Sequence, residues 1–386
     1  MLYHLAKWLD TLGVPGMRLF GYLSFRAMLA AVISMLIAFF IGKKIIGMLR
    51  KHQIGEEIRD LGLEGQMQKK GTPTMGGIII ILSMVVSALL VCRLDSIYTI
   101  LLIITTLWCG AIGFTDDYIK VYKHNKEGMS ARWKLILQFA LALTIALIVC
   151  FSPEIWNGMP KKLVTTIPFV KAHEFDYSWL SPFKNQLGVY TSWGIYMLMI
   201  IFVILACSNG TNLTDGLDGL ASGTSAIVGV ALGVMAWLGG DALDSRYLNI
   251  MYLPGSGEVA IYMAAFVGSL VGFLWYNTFP AQVFMGDTGS LTIGGVIGVT
   301  AVLLRKELLL PLLCGIFLME SLSVIIQRTY FKYTKKKYGE GRRVFLMSPL
   351  HHHYQKQGMP EPRIVTRFWI IGIILAVGTM ALLKIR

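Results

Sequence analysis

Ten apolar runs divide the chain, and they limit its folding options more than any other feature. They are Phe25–Leu49, Met75–Val91, Ile97–Thr115, Leu135–Phe151, Trp193–Cys207, Leu220–Leu238, Val259–Tyr276, Leu291–Leu304, Leu308–Ile326 and Phe368–Leu383. A helix crossing the hydrocarbon core needs roughly 17–25 residues. Inside lipid every backbone polar group must be satisfied without water, so runs of this kind fold as helices. The expectation is an all-α polytopic membrane bundle of about ten transmembrane helices, forming one domain over residues 1–386. Leu291–Leu304 is the weakest run. It is retained because polar neighbours are tolerated in a span that protein, not lipid, surrounds.

Composition agrees with this reading. The chain is 55% hydrophobic and only 15% charged, against about 25% charged in a typical soluble domain. The first run is not a cleaved signal peptide: it is long, lacks a small-residue cleavage site, and is followed by Lys43, Lys44, Arg50 and Lys51. All five cysteines fall in or beside apolar runs without metal-ligand spacing, so they read as small core residues.

Basic residues give the orientation. Ten spans place the loops Lys43–Lys70, Lys120–Lys134 and Arg328–Arg367 on one side, and these hold 22 of the 35 lysines and arginines. The positive-inside tendency puts that side in the cytoplasm and both termini outside. Residues 152–190 then form an external loop, and residues 328–367 a cytoplasmic loop carrying three histidines. The net charge of +13 follows from topology and anionic lipid, with an anionic substrate at the cytoplasmic face as the sharper reading. Nucleic acid is not implied.

Five polar clusters are richer than turns require: Lys69–Gly77, Thr115–Lys120, Ser208–Gly223, Phe284–Ser290 and Ser348–Gly358. All five fall on the cytoplasmic set of loops. Loops from one face of a bundle can converge on one site. Asp116, Asp117, Asp215, Asp218 and Asp287 supply hard oxygen ligands, and Mg²⁺ takes one or two carboxylates plus substrate phosphates. Taken alone, Asp116–Asp117 is a solvated helix end and Asp287 an N-cap. The glycines of "GLDGLASG" and "GDTGS" precede predicted helices, whose N-termini attract phosphate. No Walker pattern is present.

His351, His352 and His353 are consecutive, an arrangement poorly suited to one tetrahedral zinc. A surface run is the bland alternative; hydrogen bonding to a diphosphate fits Arg342, Arg343 and Lys356 nearby. Lys70, Lys120 and Lys134 act as point charges or as topology markers. Glu320 lies inside a span and is expected to be buried with a structural polar partner. Together these residues describe Mg²⁺-assisted phosphoryl transfer at the inner membrane surface. A transporter is the competing class, but its charges belong near the midplane, and here they cluster at span ends on one side.

The elements "GTPTMGG", "DDYIK", "NLTDGLDGLA", "FMGDTGSL" and "SPLHHHY" resemble the phospho-N-acetylmuramoyl-pentapeptide transferases, or translocase I, of the polyprenyl-phosphate hexosamine-1-phosphate transferase superfamily. The resemblance covers nearly the whole chain in matching order, and the triple histidine is its most discriminating element. Gly210–Thr211 stands where the family commonly has Ala-Val. The resemblance implies transfer of phospho-N-acetylmuramoyl-pentapeptide from UDP to undecaprenyl phosphate, giving lipid I and UMP with Mg²⁺ in bacterial peptidoglycan synthesis. It implies Asp116, Asp117 and Asp287 as the acidic catalytic and metal set, with His351, His352 and His353 as essential loop residues. It further implies a nucleoside pocket of Asn212, Asp215, Gly216, Leu217, Asp218 and Phe284, with Lys70 and Thr74 beside it. Lys120 and Lys134 join the substrate-binding set. The expected partners are the nucleotide-sugar donor, the lipid acceptor and membrane lipid, and a homodimer is compatible. A sister N-acetylglucosamine-1-phosphate transferase is the nearest alternative.

Overall fold

The structure is a computed structural model describing residues 1–52, 71–123, 125, 127–156, 162–168 and 174–384. It is an all-α bundle. In chain order the helices are α1 (Leu2–Thr11), α2 (Leu23–His52), α3 (Gly77–Val91), α4 (Ile97–Tyr122) and α5 (Ala131–Phe151). Then come α6 (Pro153–Trp156), α7 (Gln186–Thr214), α8 (Leu220–Gly240), α9 (Ala242–Leu248) and α10 (Gly257–Asn277). The last five are α11 (Gly286–Leu303), α12 (Leu310–Leu313), α13 (Gly315–Tyr338), α14 (Leu350–Lys356) and α15 (Glu361–Leu382). Among the described residues eight helices are long and apolar enough to cross a membrane: α2, α4, α5, α7, α8, α10, α11 and α15. The 15-residue α3 is shorter, and α12 with α13 forms a pair bent by 80°.

Four expectations change in detail. The run Leu308–Ile326 is not straight: it breaks at Cys314, which leaves α12 only four residues long, with Pro311 in its first turn where proline is tolerated. Helix α13 then continues to Tyr338, so the first part of the 328–367 loop is helical, and the histidines sit on the short α14. Ser208–Thr214 ends α7 and is not loop, and Asp116 and Asp117 lie inside α4 instead of at its end. Helix α11 begins at Gly286, so its polar first turn belongs to the span. Residues 152–190 contain α6 and an antiparallel pair, β1 (Val164–Thr166) with β2 (Glu174–Asp176), before α7 starts at Gln186.

Helix α11 is the axis of the bundle. Its 18-residue span is 89% buried, and α3, α4, α7 and α8 surround it. This explains the weak apolarity of the run: its neighbours are helices, not lipid tails. Small residues permit the close approach, as is usual between membrane helices. A Cβ on Gly113 of α4 would lie 2.2 Å from Asp287 O, and one on Gly294 of α11 would lie 2.3 Å from Cys207 O of α7. Buried hydroxyls such as Thr105 and Thr106 donate to carbonyls four residues earlier, at 2.7 and 2.8 Å.

The two ends of the bundle differ. At one end Arg26 of α2 pairs with Glu258 of α10 at 2.8 Å, and the Arg93 backbone N–H donates to the same carboxylate at 2.9 Å. Both terminal regions share this end. The Met1 ammonium donates to Leu89 O at 2.5 Å, and Lys384 Nζ donates to Tyr247 O at 3.1 Å. The β-hairpin packs here too: Thr166 N–H and Thr165 Oγ1 each donate to Arg305 O at 3.0 Å. The start of α3, the start of α11 and the turn after α7 meet at the opposite end.

Packing at the Gly113 contact yields a test. Gly113→Val is expected to cost about 1–3 kcal/mol or more through overpacking, read as a lower thermal midpoint of the detergent-solubilised protein. Gly47→Ala, whose added Cβ meets nothing within 4 Å, is expected to stay within about 1 kcal/mol of the parent.

Candidate active site

The end of the bundle opposite the termini gathers the acids. Helix α4 brings Asp116 and Asp117, both essentially buried, to the first turn of α11. Asp117 caps that turn. Its Oδ1 accepts from the Asp287 N–H at 3.1 Å, and its Oδ2 accepts from the Thr288 N–H at 2.8 Å and the Thr288 hydroxyl at 2.6 Å. The unsatisfied N–H groups of a helix start need acceptors, and a buried carboxylate needs donors. Each group answers the other's requirement. Asp287 is therefore not the cap of α11; it projects from the capped turn. Gly286 precedes it at φ +72°, and a Cβ there would lie 2.6 Å from Asp117 Oδ2 and 3.0 Å from Thr74 Oγ1.

Two lysines bridge the remaining acids. Lys120 Nζ lies 2.6 Å from Asp116 Oδ2 and 3.2 Å from Asp287 Oδ2. Lys134 Nζ, from the first turn of α5, lies 2.9 and 2.7 Å from the same two oxygens. Asp116 Oδ1 accepts from Met129 N–H at 2.6 Å, which ties down the α4–α5 connection. Asn212, in the last turn of α7, donates to Asp287 Oδ1 and Ser290 Oγ, both at 2.9 Å. One carboxylate oxygen from each of Asp116, Asp117 and Asp287 lies within 4.8 Å of the others.

The glycine-rich segment before α3 lies against this centre through backbone pairing. Phe284 N–H donates to Pro73 O, Gly76 N–H to Phe284 O and Gly77 N–H to Met285 O, each at 2.8 Å. Thr74 is thereby buried beside Gly286. Phe284 is partly buried at the same seam. Lys70 lies outside the described residues.

The turn after α7 forms the next wall. Asp215 is half-buried, Gly216 exposed and Leu217 packed in the core. Asp218 faces the 278–285 segment, accepting from Ala281 N–H at 3.0 Å, while its own N–H donates to Glu361 Oε1 at 2.7 Å. The histidines of α14 occupy three settings. His351 is fully buried, with Nδ1 3.2 Å from Glu320 Oε2. His352 Nδ1 lies 2.7 Å from Gln355 Oε1. His353 Nδ1 accepts from Leu346 N–H at 3.1 Å, holding its own loop.

Thus the structure joins Asp116, Asp117, Asp287, Lys120, Lys134, Asn212 and Thr74 directly. Its histidines form a second group linked through Gly216. Sequence reading passed over Thr288 and Ser290, although both stand in the quoted "GDTGS". It also passed over Gln138, which donates to Ser208 Oγ at 3.1 Å and accepts from Asn209 at 3.0 Å, fastening α5 to α7. A glutamine in an apolar run one turn beyond Lys134 was the available signal.

Two family models match this chain. One is described as glycosyl transferase family 4, over residues 99–305, and the other as phospho-N-acetylmuramoyl-pentapeptide-transferase signature 1, over residues 69–81. Similar curated proteins bear the name phospho-N-acetylmuramoyl-pentapeptide-transferase. The one from Parabacteroides distasonis is 52% identical, and so is the one from Flavobacterium johnsoniae; the one from Amoebophilus asiaticus is 51% identical. Each match covers 100% of both chains. The chain belongs to the phospho-N-acetylmuramoyl-pentapeptide-transferase family. It is a multi-pass membrane phosphotransferase, and its acid cluster lies within the span of the glycosyl transferase model.

Because Asp117 holds the first turn of α11 through three donors, Asp117→Ala is expected to lose about 2–4 kcal/mol of stability, given roughly 1.5–3 kcal/mol for a hydrogen bond to a charged group. Thermal unfolding in detergent measures it. Thr288→Val, which leaves both backbone donors in place, is expected to lose less than half as much.

Proposed function

We propose that this enzyme transfers phospho-N-acetylmuramoyl-pentapeptide from UDP to undecaprenyl phosphate, releasing UMP and forming lipid I. The observation that carries the reading is the convergence of three carboxylates and two lysines at one end of the bundle. The family relationship supports the substrate pair. The site faces the cytoplasm of a bacterial cell and both termini face outward. The basic-residue bias supports this, as does the position of the termini at the far end.

The residue set fits Mg²⁺: hard carboxylate oxygens are its usual protein ligands, and three lie within 4.8 Å of one another. Asp287 and Asp116 would hold the ion. Asp117 belongs to the same cluster, with its oxygens already engaged by α11. When bound, the ion neutralises charge on the diphosphate. Lys120 and Lys134 present ammonium groups to the same oxygens and are placed to meet phosphate. Phe284 offers an aromatic face for uracil. Thr74, Asn212, Asp215, Gly216, Leu217, Asp218 and Lys70 complete the donor-binding set. The triple histidine belongs to the donor-binding set as well.

The reaction is a direct displacement. A lipid phosphate has a second pKa near 6 and is largely dianionic at neutral pH, so it attacks without a strong base. Its oxygen bonds to the sugar-linked phosphorus. The diphosphate P–O bond breaks, and UMP leaves with the electron pair. A covalent aspartyl-phosphate needs a carboxylate that can reach phosphorus. The Asp116 side chain is 0% exposed, whereas that of Asp287 is 16% exposed. Asp117 is committed to α11. Only Asp287 is exposed enough for that role, and direct attack leaves it to position groups and cations.

Asp287→Asn is expected to reduce turnover at least about a thousandfold, as loss of charge stabilisation does at a phosphoryl-transfer centre, while the variant still purifies as a folded membrane protein. EDTA is expected to stop the parent enzyme and Mg²⁺ to restore it. Near-parental turnover in the variant would remove Asp287 from the centre.

Donor choice separates this reading from the sister activity. Purified protein with undecaprenyl phosphate is expected to convert UDP-N-acetylmuramoyl-pentapeptide and to leave UDP-N-acetylglucosamine almost untouched. His352→Ala is expected to lose transfer from the preferred donor even at saturating Mg²⁺. Equal or better transfer of N-acetylglucosamine-1-phosphate, measured as lipid product, would replace the assignment.

A further inference from the structure

The pair Glu320–His351 is not accounted for by charge neutralisation at the phosphates. Both residues are 0% exposed. Glu320 sits on α13, where a carboxylate in a membrane helix needs a partner. Its Oε2 meets His351 twice: the ring Nδ1 lies 3.2 Å away, and the His351 backbone N–H donates at 3.4 Å. That oxygen thus accepts from the first turn of α14 and stands within ion-pair distance of the ring.

The far edge of that ring is the informative part. Among the described residues neither His351 ring nitrogen has a hydrogen-bond partner: Nδ1 lies within ion-pair distance of Glu320, and Nε2 is fully buried with no charged group beside it. A Cβ on Gly216 would lie 2.1 Å from Nε2 and 2.8 Å from Cε1. The imidazole edge thus rests against the backbone of the turn between α7 and α8. Gly216 itself is exposed on its other side.

We propose that Glu320 is a positioning residue: it seats His351 so that the ring edge props the backbone at Gly216 and shapes the 215–218 turn for the uridine nucleotide. This rests on the proposed role of that turn in donor binding. It also divides the labour among the histidines. His351 acts from behind the turn, whereas His352 and His353 are both half-buried. Glycine at 216 follows from the same contact, since any side chain there would displace the ring.

The test uses purified full-length protein in detergent, with UDP-N-acetylmuramoyl-pentapeptide, undecaprenyl phosphate and, separately, UMP binding by calorimetry. Glu320→Ala is expected to raise the donor KM and weaken UMP binding by about tenfold or more, with the acceptor KM within about twofold of the parent. In a His351→Ala background it is expected to add less than about twofold, because residues acting through one contact are not additive. Glu320→Gln keeps an oxygen for the His351 N–H and is expected to stay within about threefold. Gly216→Ala is expected to reproduce the loss of UMP affinity, and it carries the test if Glu320→Ala does not fold. The proposal is overturned by additive losses in the double variant, by parallel rises in both KM values, or by a Gln variant as damaged as the Ala variant. Unchanged UMP binding in Gly216→Ala overturns it as well. UMP binding needs no turnover, so a parent protein that binds UMP but transfers nothing counts against the proposed reaction and leaves this inference measurable.

Discussion

The contact between Asp117 and the first turn of α11 organises the functional end of the molecule. A carboxylate on one helix supplies the acceptors that the start of another helix lacks. Once α4 and α11 are locked in this way, Asp287 has one place to stand. Lys120, Lys134 and Asn212 then converge on its two oxygens from three different helices. The approach requires a near-naked backbone at Gly113 and a left-handed residue at Gly286. The glycines and acids of these motifs are thus parts of one geometric solution.

Beside that centre, the 215–218 turn sits between two supports. Asp218 fastens it to the 278–285 segment and to Glu361 at the start of α15. His351 supports it at Gly216. Its exposed part is a short arc at Gly216, and its rear side is bonded or packed, which is how a loop is held in a fixed shape. The three adjacent histidines share a helix of only seven residues, yet their surroundings differ completely.

Much of this was legible in the residues. Apolar runs specify the fold class, and loop parity alone assigns five polar clusters to one face. The acids Asp116, Asp117 and Asp287 do meet. The burial of Glu320 with a polar partner also follows from one charge in an apolar run. The helix ends were less legible, because polar residues of α4, α7 and α11 continue their helices where protein shields them. Asp117 as a tertiary cap and His351 as a prop were not legible at all. Both depend on pairings across 171 and 135 positions of chain, for Thr288 and Gly216 respectively, and no local pattern encodes such distances. The 80° break at Cys314 was hidden because a broken apolar run has the composition of a straight one.

The sheathing of α11 by its neighbours has a mechanical consequence. Helices that touch lipid tilt or shift when bilayer thickness changes. Helix α11 is 89% buried within the protein, so it has almost no lipid boundary of its own through which mismatch can act. The outer helices α2, α5 and α15, each less than half buried, absorb that adjustment. The enzyme thus carries Asp287 on a shaft insulated from the lipid that its outer helices touch.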